Sequence, residues 1–302
     1  MNKQVKGFVA GILAAVFYGT NPLGALPLYA DGINCGTVLF YRYGLATALF
    51  ALVLTLKGER LGITRREALH LGALGGVFAL SSLTLFESFL HMDAGLASTL
   101  LFCYPIMTAV IMMLMFHERL TLSTLLAIAL AMGGIGLLYH GGAGARVSTL
   151  GFALVMLSSL LYAIYIVAVN QWKSRLSSLK FTFWVILFGW ITVVAYGLVM
   201  GQPIQLLHST RQWACAVQLA VLPTVLSLLL MTVSIKYIGS TPAAIMGALE
   251  PVTAVAIGVC LFGEAFTLRF AVGIVLILMG VLLVITRGHV PHPRLHLLHR
   301  KH

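Results

Sequence analysis

A glutamate directly before a proline, Glu250-Pro251, lies about ten residues into the apolar run 241–262. A carboxylate at that depth in a bilayer costs about 2.5–3.5 kcal/mol on insertion scales, and such residues are functional by default. Two chemistries suit it: taking up and releasing a proton, or pairing with a substrate ammonium. The structural alternative is a neutral Glu250 hydrogen-bonded to a neighbouring helix. Arg42 is the basic residue well inside an apolar run, 35–56, about 10 Å from its outer end at 1.5 Å per residue. Its fork of donors matches a substrate carboxylate. Glu87 lies at a similar depth in the run 69–91, so a structural Arg42–Glu87 bridge is the competing reading.

Four prolines interrupt apolar runs: Pro22, Pro105, Pro223 and Pro251. Each removes one helical hydrogen bond and disturbs the carbonyl four residues earlier, here those of Tyr18, Leu101, Leu219 and Gly247. Freed carbonyls are tolerated in a membrane where they face protein or a wet cavity, so the prolines predict bent or broken helices around a centre; a simple kink is the alternative at each. Thr241-Pro242 reads instead as a helix N-cap and first turn. Aromatic residues could line such a centre. Tyr18 and Tyr104 are the best placed, each just before a proline break. Tyr41, Tyr162, Tyr165, Trp184 and Trp190 are further candidates, although interfacial anchoring is the usual role of membrane Tyr and Trp and suits Trp172 and Trp213.

Other residues read as structure. Asp93 is placed to cap a helix. Glu118 and Glu264 fall at run ends, on opposite faces, and suit solvated or paired roles. Cys35, Cys103, Cys215 and Cys260 show no metal spacing and read as small apolar fillers. Gly133, Gly134, Gly136 and Gly280 suit close packing, within a bundle or at a dimer seam. Five histidines, His289, His292, His296, His299 and His302, crowd the segment after Arg287. Pro291 and Pro293 oppose a metal-binding helix there, and a basic tail near anionic lipid is the simpler reading.

The elements that must position these residues follow from composition. Of 302 residues, 60% are hydrophobic and 9% charged, which excludes an ordinary soluble domain and disorder. Ten apolar runs are separable: 7–30, 35–56, 69–91, 94–116, 121–139, 149–170, 181–200, 213–235, 241–262 and 267–286. Each is close to the ~20 residues that cross a bilayer as helix. The net charge of +11 comes from cations in short loops, which marks topology rather than nucleic-acid binding. With the N-terminus inside, fifteen of the 19 Lys and Arg lie inside, Arg146, Arg211 and Arg269 lie outside, and Arg42 lies within a span. Both termini are therefore predicted to be cytoplasmic.

The chain also repeats itself. An offset of 146 aligns Pro105 with Pro251, Phe116 with Phe262, Glu118 with Glu264 and Thr121 with Thr267; an offset of 144 aligns Gly7-Phe8 with Gly151-Phe152 and Tyr18 with Tyr162. Five helices followed by five related ones must enter the membrane from opposite sides, which is the inverted repeat of many secondary transporters.

At these residues the sequence resembles a known family. Each half is similar to one EamA-type unit of the drug/metabolite transporter superfamily, over residues 7–286. The most specific parts are Pro105 to Glu118-Arg119-Leu120-Thr121, Glu250-Pro251 to Gly263-Glu264, and the arginine-bearing Tyr41-Arg42-Tyr43. In the first half Tyr104-Pro105 stands where the second has Glu250-Pro251, so no symmetric pair of carboxylates exists. The resemblance implies a ten-helix inner-membrane carrier, often an exporter of amino acids and other metabolites; importers and exchangers also occur in the superfamily.

The expected fold is thus all-α, with ten transmembrane helices as two inverted five-helix repeats, 7–140 and 149–286, and a basic His-rich cytoplasmic tail, 287–302. The expected function is secondary active export of small amphipathic metabolites across a bacterial inner membrane. Partners are a small-molecule substrate, the lipid bilayer and protons as a coupling ion, with no nucleic acid and no cofactor, in a monomer or homodimer. Without a Gly-Lys dipeptide there is no phosphate-binding P-loop. Without HExxH or GxSxG an intramembrane enzyme lacks its usual motifs. A channel would need a filter or an oligomeric ring, and neither is visible. The residues expected to bind substrate or couple its movement are Glu250, Arg42, Tyr18, Tyr104 and Glu87.

Overall fold

Proline and cap residues decide where the helices of this computed structural model begin and end. It describes residues 3–92, 97, 100–117, 121–138, 148–172, 174, 176–253, 256 and 268–287. Among them all regular structure is helical. The first span is α1, Lys3–Tyr18, and α2, Asn21–Ala30, separated by a turn at Gly19-Thr20 just before Pro22. Next come α3, Cys35–Leu56, and α4, Arg65–His91. Then follow α5, Tyr104–Phe116, with Pro105 in its first turn, and α6, Leu122–Leu138. The second half holds α7, Thr149–Gln171, and α8, Ser178–Val199. Its next span runs from α9, Thr210–Ala220, through a π-helical turn at Val221–Leu226 into α10, Ser227–Ile238. It ends with α11, Ser240–Met246, and α12, Leu268–Arg287.

Side chains satisfy the free N–H groups where these helices begin. Asn34 accepts from Thr37 N–H, and Ser148 and Ser177 act likewise. Thr64 with Glu67 and Ser209 with Gln212 form reciprocal capping boxes. The cap expected at Thr241 is not formed. The helix begins two residues sooner than that cap implies, at Ser240, after Gly239 at φ 87°, a backbone conformation that glycine adopts without steric cost. Thr241 Oγ1 is buried without a partner.

Among the described residues six spans are long and apolar enough to cross a membrane: Lys3–Ala30, Cys35–Leu56, Arg65–Ser88, Thr149–Gln171, Ser178–Val199 and Thr210–Ile238. Tyr104–Phe116, Leu122–Leu137 and Ala271–Leu283 are shorter apolar helices. Asp93, Glu118, Glu264, Cys260 and the histidines of the tail lie outside the described residues.

The packing follows a pattern of exchange between the halves. Helix α1 packs on α10, and α4 on α7; α12 packs on α6; α3 and α4 both pack on α8. Small residues permit the close crossings. A Cβ added to Gly134 would meet the Gly273 carbonyl oxygen at 2.5 Å, and one on Gly280 the Ala127 carbonyl oxygen at 2.8 Å, so these two glycines seat α6 against α12. Gly133 and Gly136 face open space.

At Gly75 a Cβ would lie 2.5 Å from the Val185 carbonyl oxygen and 2.8 Å from Phe188 Cβ, where α4 crosses α8. Overpacking of this kind costs about 1–3 kcal/mol. Gly75→Ala is therefore expected to lower the Tm of detergent-solubilised protein; an unchanged Tm would contradict so close a crossing.

Candidate functional site

All four prolines named from the sequence mark interruptions, and three of the carbonyls they disturb have identifiable partners. Pro105 leaves the Leu101 carbonyl, which accepts from Ser159 Oγ at 2.5 Å. Pro223 lies in the π-helical turn, and the Leu219 carbonyl accepts from Thr224 Oγ1 at 2.7 Å. Pro251 follows the turn at Gly247-Ala248, where the Gly247 carbonyl accepts from Glu250 N–H at 2.8 Å. The first break, before Pro22, is tied to α9 by Gln218 Nε2, which donates to the Thr20 carbonyl at 3.2 Å. The breaks are thus built into the packing, as polar backbone in a membrane requires.

The interruptions bring four of the five sequence-predicted residues together. Tyr18 ends α1, Tyr104 starts α5, and Glu250 follows the break after α11. Arg42, in the middle of α3, is 0% exposed, and Glu250 is 7% exposed. Arg42 Nε donates to Thr224 Oγ1 at 2.7 Å. Its guanidinium carbon lies 5.9, 5.7 and 5.3 Å from the ring centroids of Tyr18, Tyr43 and Phe86, distances at which aromatic faces attract a cation. Among the described residues neither Nη has a hydrogen-bond partner, nor has Glu250 Oε1, and the Tyr18 side chain lies beside the guanidinium.

Tyrosine rings link the two charged groups. Tyr18 stacks on Tyr162, with centroids 6.2 Å apart and planes 11° apart. Tyr104 meets Tyr162 edge-on at 4.8 Å. The charges of both Arg42 and Glu250 act on Tyr18 and on Tyr162. The Tyr104 hydroxyl lies beside the Glu250 side chain and donates to the Ala244 carbonyl at 3.2 Å. Tyr165 adjoins Tyr162 at 6.2 Å. The result is a buried centre with a cation at one side, a carboxyl at the other and phenol rings between.

Gly247 is where this centre tolerates no side chain, because a Cβ there would overlap the Tyr104 hydroxyl. Gly247→Ala is expected to push Tyr104 away from Glu250, destabilising the protein by about 1–3 kcal/mol. Combining it with Tyr104→Phe is expected to restore part of the lost Tm. A double variant no more stable than Gly247→Ala would place the clash elsewhere.

Glu87 stands apart. No hydrogen bond joins it to Arg42, and its Oε2 is without a partner. Its charge acts on Cys35, Tyr29 and Tyr196, and the Tyr29 hydroxyl donates to the Phe86 carbonyl at 3.2 Å. Equal depth along two helices does not place two side chains on facing sides. The other aromatic candidates also lie elsewhere. Trp184 Nε1 donates to the Leu61 carbonyl and Trp190 Nε1 to the Phe40 carbonyl, while Tyr41 packs edge-on against Trp213.

Sequence reasoning missed Thr224, Asn21, Tyr43 and Phe86. Asn21 is 5% exposed with Oδ1 unpartnered, and its side chain adjoins Tyr18. Its position before Pro22 and that of Thr224 after Pro223 were the available signals.

Broken helices around buried polar groups recur in membrane transporters. The model of the EamA-like transporter family matches residues 5–140 and 149–286. The chain belongs to this family and is an integral membrane transporter, with a small-molecule substrate and the lipid bilayer as its partners. An Archaeoglobus fulgidus protein named an uncharacterized transporter is 27% identical over 277 residues, covering 92% of this chain and 95% of its own. The uncharacterized transporter YyaM of Bacillus subtilis is 23% identical over 250 residues, covering 80% and 81%. A solved crystal structure superposes with a TM-score of 0.78 at 16% identity, covering 94% of this chain and 97% of its own, a likeness of fold.

Proposed function

We propose that this transporter is a secondary active carrier that exports small amphipathic metabolites, amino acids or related compounds, by alternating access. Ten membrane-spanning helices form two inverted five-helix repeats, 7–140 and 149–286, in a bacterial inner membrane with both termini cytoplasmic. The packing supports the repeat. Exchanging the two halves turns the α1–α10 contact into the α7–α4 contact and leaves the α6–α12 and α3–α8 contacts in place. The distribution of cations supports the orientation.

The observation that carries the reading is the pair of buried, incompletely partnered charges, Arg42 and Glu250, that flank Tyr18, Tyr104 and Tyr162 among four helix breaks. In this account Arg42 receives the substrate's anionic group. Glu250 receives its ammonium, or a proton that competes with it. Competition of proton and substrate for one carboxylate is sufficient to couple their movements, because each must leave before the other binds. The tyrosines accept the apolar body. Alternating access requires one repeat to rock against the other about a fixed midplane site, and the breaks at Pro22, Pro105, Pro223 and Pro251 are where the helices can flex.

Substrate-resolved efflux tests this. Cells with the native protein, with Glu250→Gln at matched membrane levels, or with neither are compared by mass spectrometry of cell contents and medium. A zwitterionic metabolite that leaves only the native cells is the expected result. No outward movement of any such compound would contradict export.

A further inference from the structure

The contacts of Arg42 are unusual in what they leave open. Three aromatic rings, Tyr18, Tyr43 and Phe86, each hold a centroid within 6 Å of the guanidinium carbon, so much of its surroundings is apolar. Nε is used, since it donates to Thr224 Oγ1 at 2.7 Å. Nη1 and Nη2 have no hydrogen-bond partner among the described residues, with the Tyr18 side chain beside the guanidinium; they form one edge of a planar fork whose geometry fits the two oxygens of a carboxylate.

Thr224 is equally constrained. It is 0% exposed, and the oxygen that accepts from Arg42 donates its own proton to the Leu219 carbonyl at 2.7 Å. That carbonyl lies four residues before Pro223, which has no N–H to give it. The π-helical turn at Val221–Leu226 sets Thr224 five residues past Leu219, within reach of that carbonyl. A relay results: Arg42 Nε to Thr224 Oγ1 to Leu219 C=O. Two hydrogen bonds of 2.7 Å fix the rotation of the guanidinium about its own chain and anchor it to the broken helix on the other side of the bundle.

We propose that Thr224 is a positioning residue, and that the relay from Arg42 to the Leu219 carbonyl holds the two Nη groups edge-on as a bidentate site for a substrate carboxylate. This rests on the carrier reading of Arg42 given above and assigns both the chemical group bound and the residue that orients the binding fork. It also gives the interruption at Pro223 a role: the proline frees the acceptor that the relay needs. Because Arg42 belongs to α3 and Thr224 to the span of the opposite half, the fork keeps its orientation only while the two remain in contact.

The probes are matched pairs of amino acids and their carboxamides, phenylalanine with phenylalaninamide and leucine with leucinamide. The amide replaces the carboxylate with a neutral group of nearly the same size. Each is added to purified full-length protein in detergent micelles, and the ligand-induced rise in Tm is titrated to give an affinity. The native protein is expected to prefer each acid to its amide. Thr224→Ser keeps the hydroxyl and is expected to keep that preference. Thr224→Val matches the shape, removes the hydroxyl and is expected to weaken binding of the acid about tenfold, as loss of a hydrogen bond to a charged group does, with little change for the amide. Arg42→Gln is expected to abolish the preference.

A native protein with no preference for the acids, or a Thr224→Val variant that retains it, overturns the proposal. If Thr224→Val and Thr224→Ser lose the preference alike, the hydroxyl relay is wrong. Binding and transport separate the two readings. Acid preference that depends on Arg42 and Thr224, in a protein that moves no such compound across a vesicle membrane, upholds the site and overturns the carrier function proposed for it. Transport that is indifferent to the carboxylate does the reverse.

Discussion

Vesicles reconstituted with Glu250→Gln are expected to lose transport driven by a pH difference while still exchanging substrate, with weakened affinity, at equal pH on both sides. Glutamine has nearly the same size as glutamate and retains hydrogen-bonding capacity toward Tyr104, but it cannot take up or release a proton in this pH range. Glu250 is 7% exposed, and its Oε1 has no hydrogen-bond partner among the described residues. One pH unit is worth about 1.4 kcal/mol per proton, or about tenfold in accumulation at equilibrium, and the variant is expected to lose all of it. Accumulation by Glu250→Gln equal to that of the native protein would make Glu250 a structural glutamate. Loss of both accumulation and exchange would show that substrate binding itself requires the Glu250 carboxylate.

The second large effect concerns Arg42. A buried charge without a full set of partners costs stability, whereas a transport site must retain it to hold the substrate. Arg42→Gln is therefore expected to preserve or raise the Tm of the empty protein and to raise the transport KM for a carboxylate-bearing substrate by about 10–100-fold, the loss expected for a charge-assisted contact of about 1.5–3 kcal/mol. Arg42→Lys keeps the charge but not the fork or the Nε bond to Thr224, and is expected to recover little of the affinity. Paired measurements of Tm and KM check this directly. A variant that loses several degrees of Tm together with transport would show Arg42 to be a structural cation held by its three rings. The combination of sustained stability with lost affinity is what distinguishes a binding group.

Much of this centre is legible in the sequence because membrane insertion makes polar residues conspicuous. Arg42 and Glu250 stand out by charge, and Pro22, Pro105, Pro223 and Pro251 by their missing N–H groups. Tyr18 and Tyr104 follow from their positions next to breaks. What sequence leaves open is azimuth. Glu87 and Arg42 have similar depths, yet Glu87 is turned toward Cys35, Tyr29 and Tyr196. Thr224 is inconspicuous, since a threonine in an apolar helix normally bonds its own backbone; its second bond reaches a residue 182 positions away and depends on how the two halves cross. Thr241 shows the converse error, because a cap inferred from local preference gave way to the turn that Gly239 makes two residues earlier. The ten apolar runs are matched only in part by helix length: among the described residues six spans are long, and Tyr104–Phe116, Leu122–Leu137 and Ala271–Leu283 are apolar but shorter.

The most direct test of the central claim is counterflow. Purified protein is reconstituted into vesicles preloaded with an unlabelled compound from the efflux screen, and a trace of the labelled compound is added outside at equal pH. A carrier that exposes one site to each side in turn draws label inward above its outside concentration, and the excess then decays. That transient overshoot is the predicted result, reduced in Arg42→Gln. Label that only equilibrates, at a rate independent of what the vesicles contain, would contradict alternating access and point to a passive pathway.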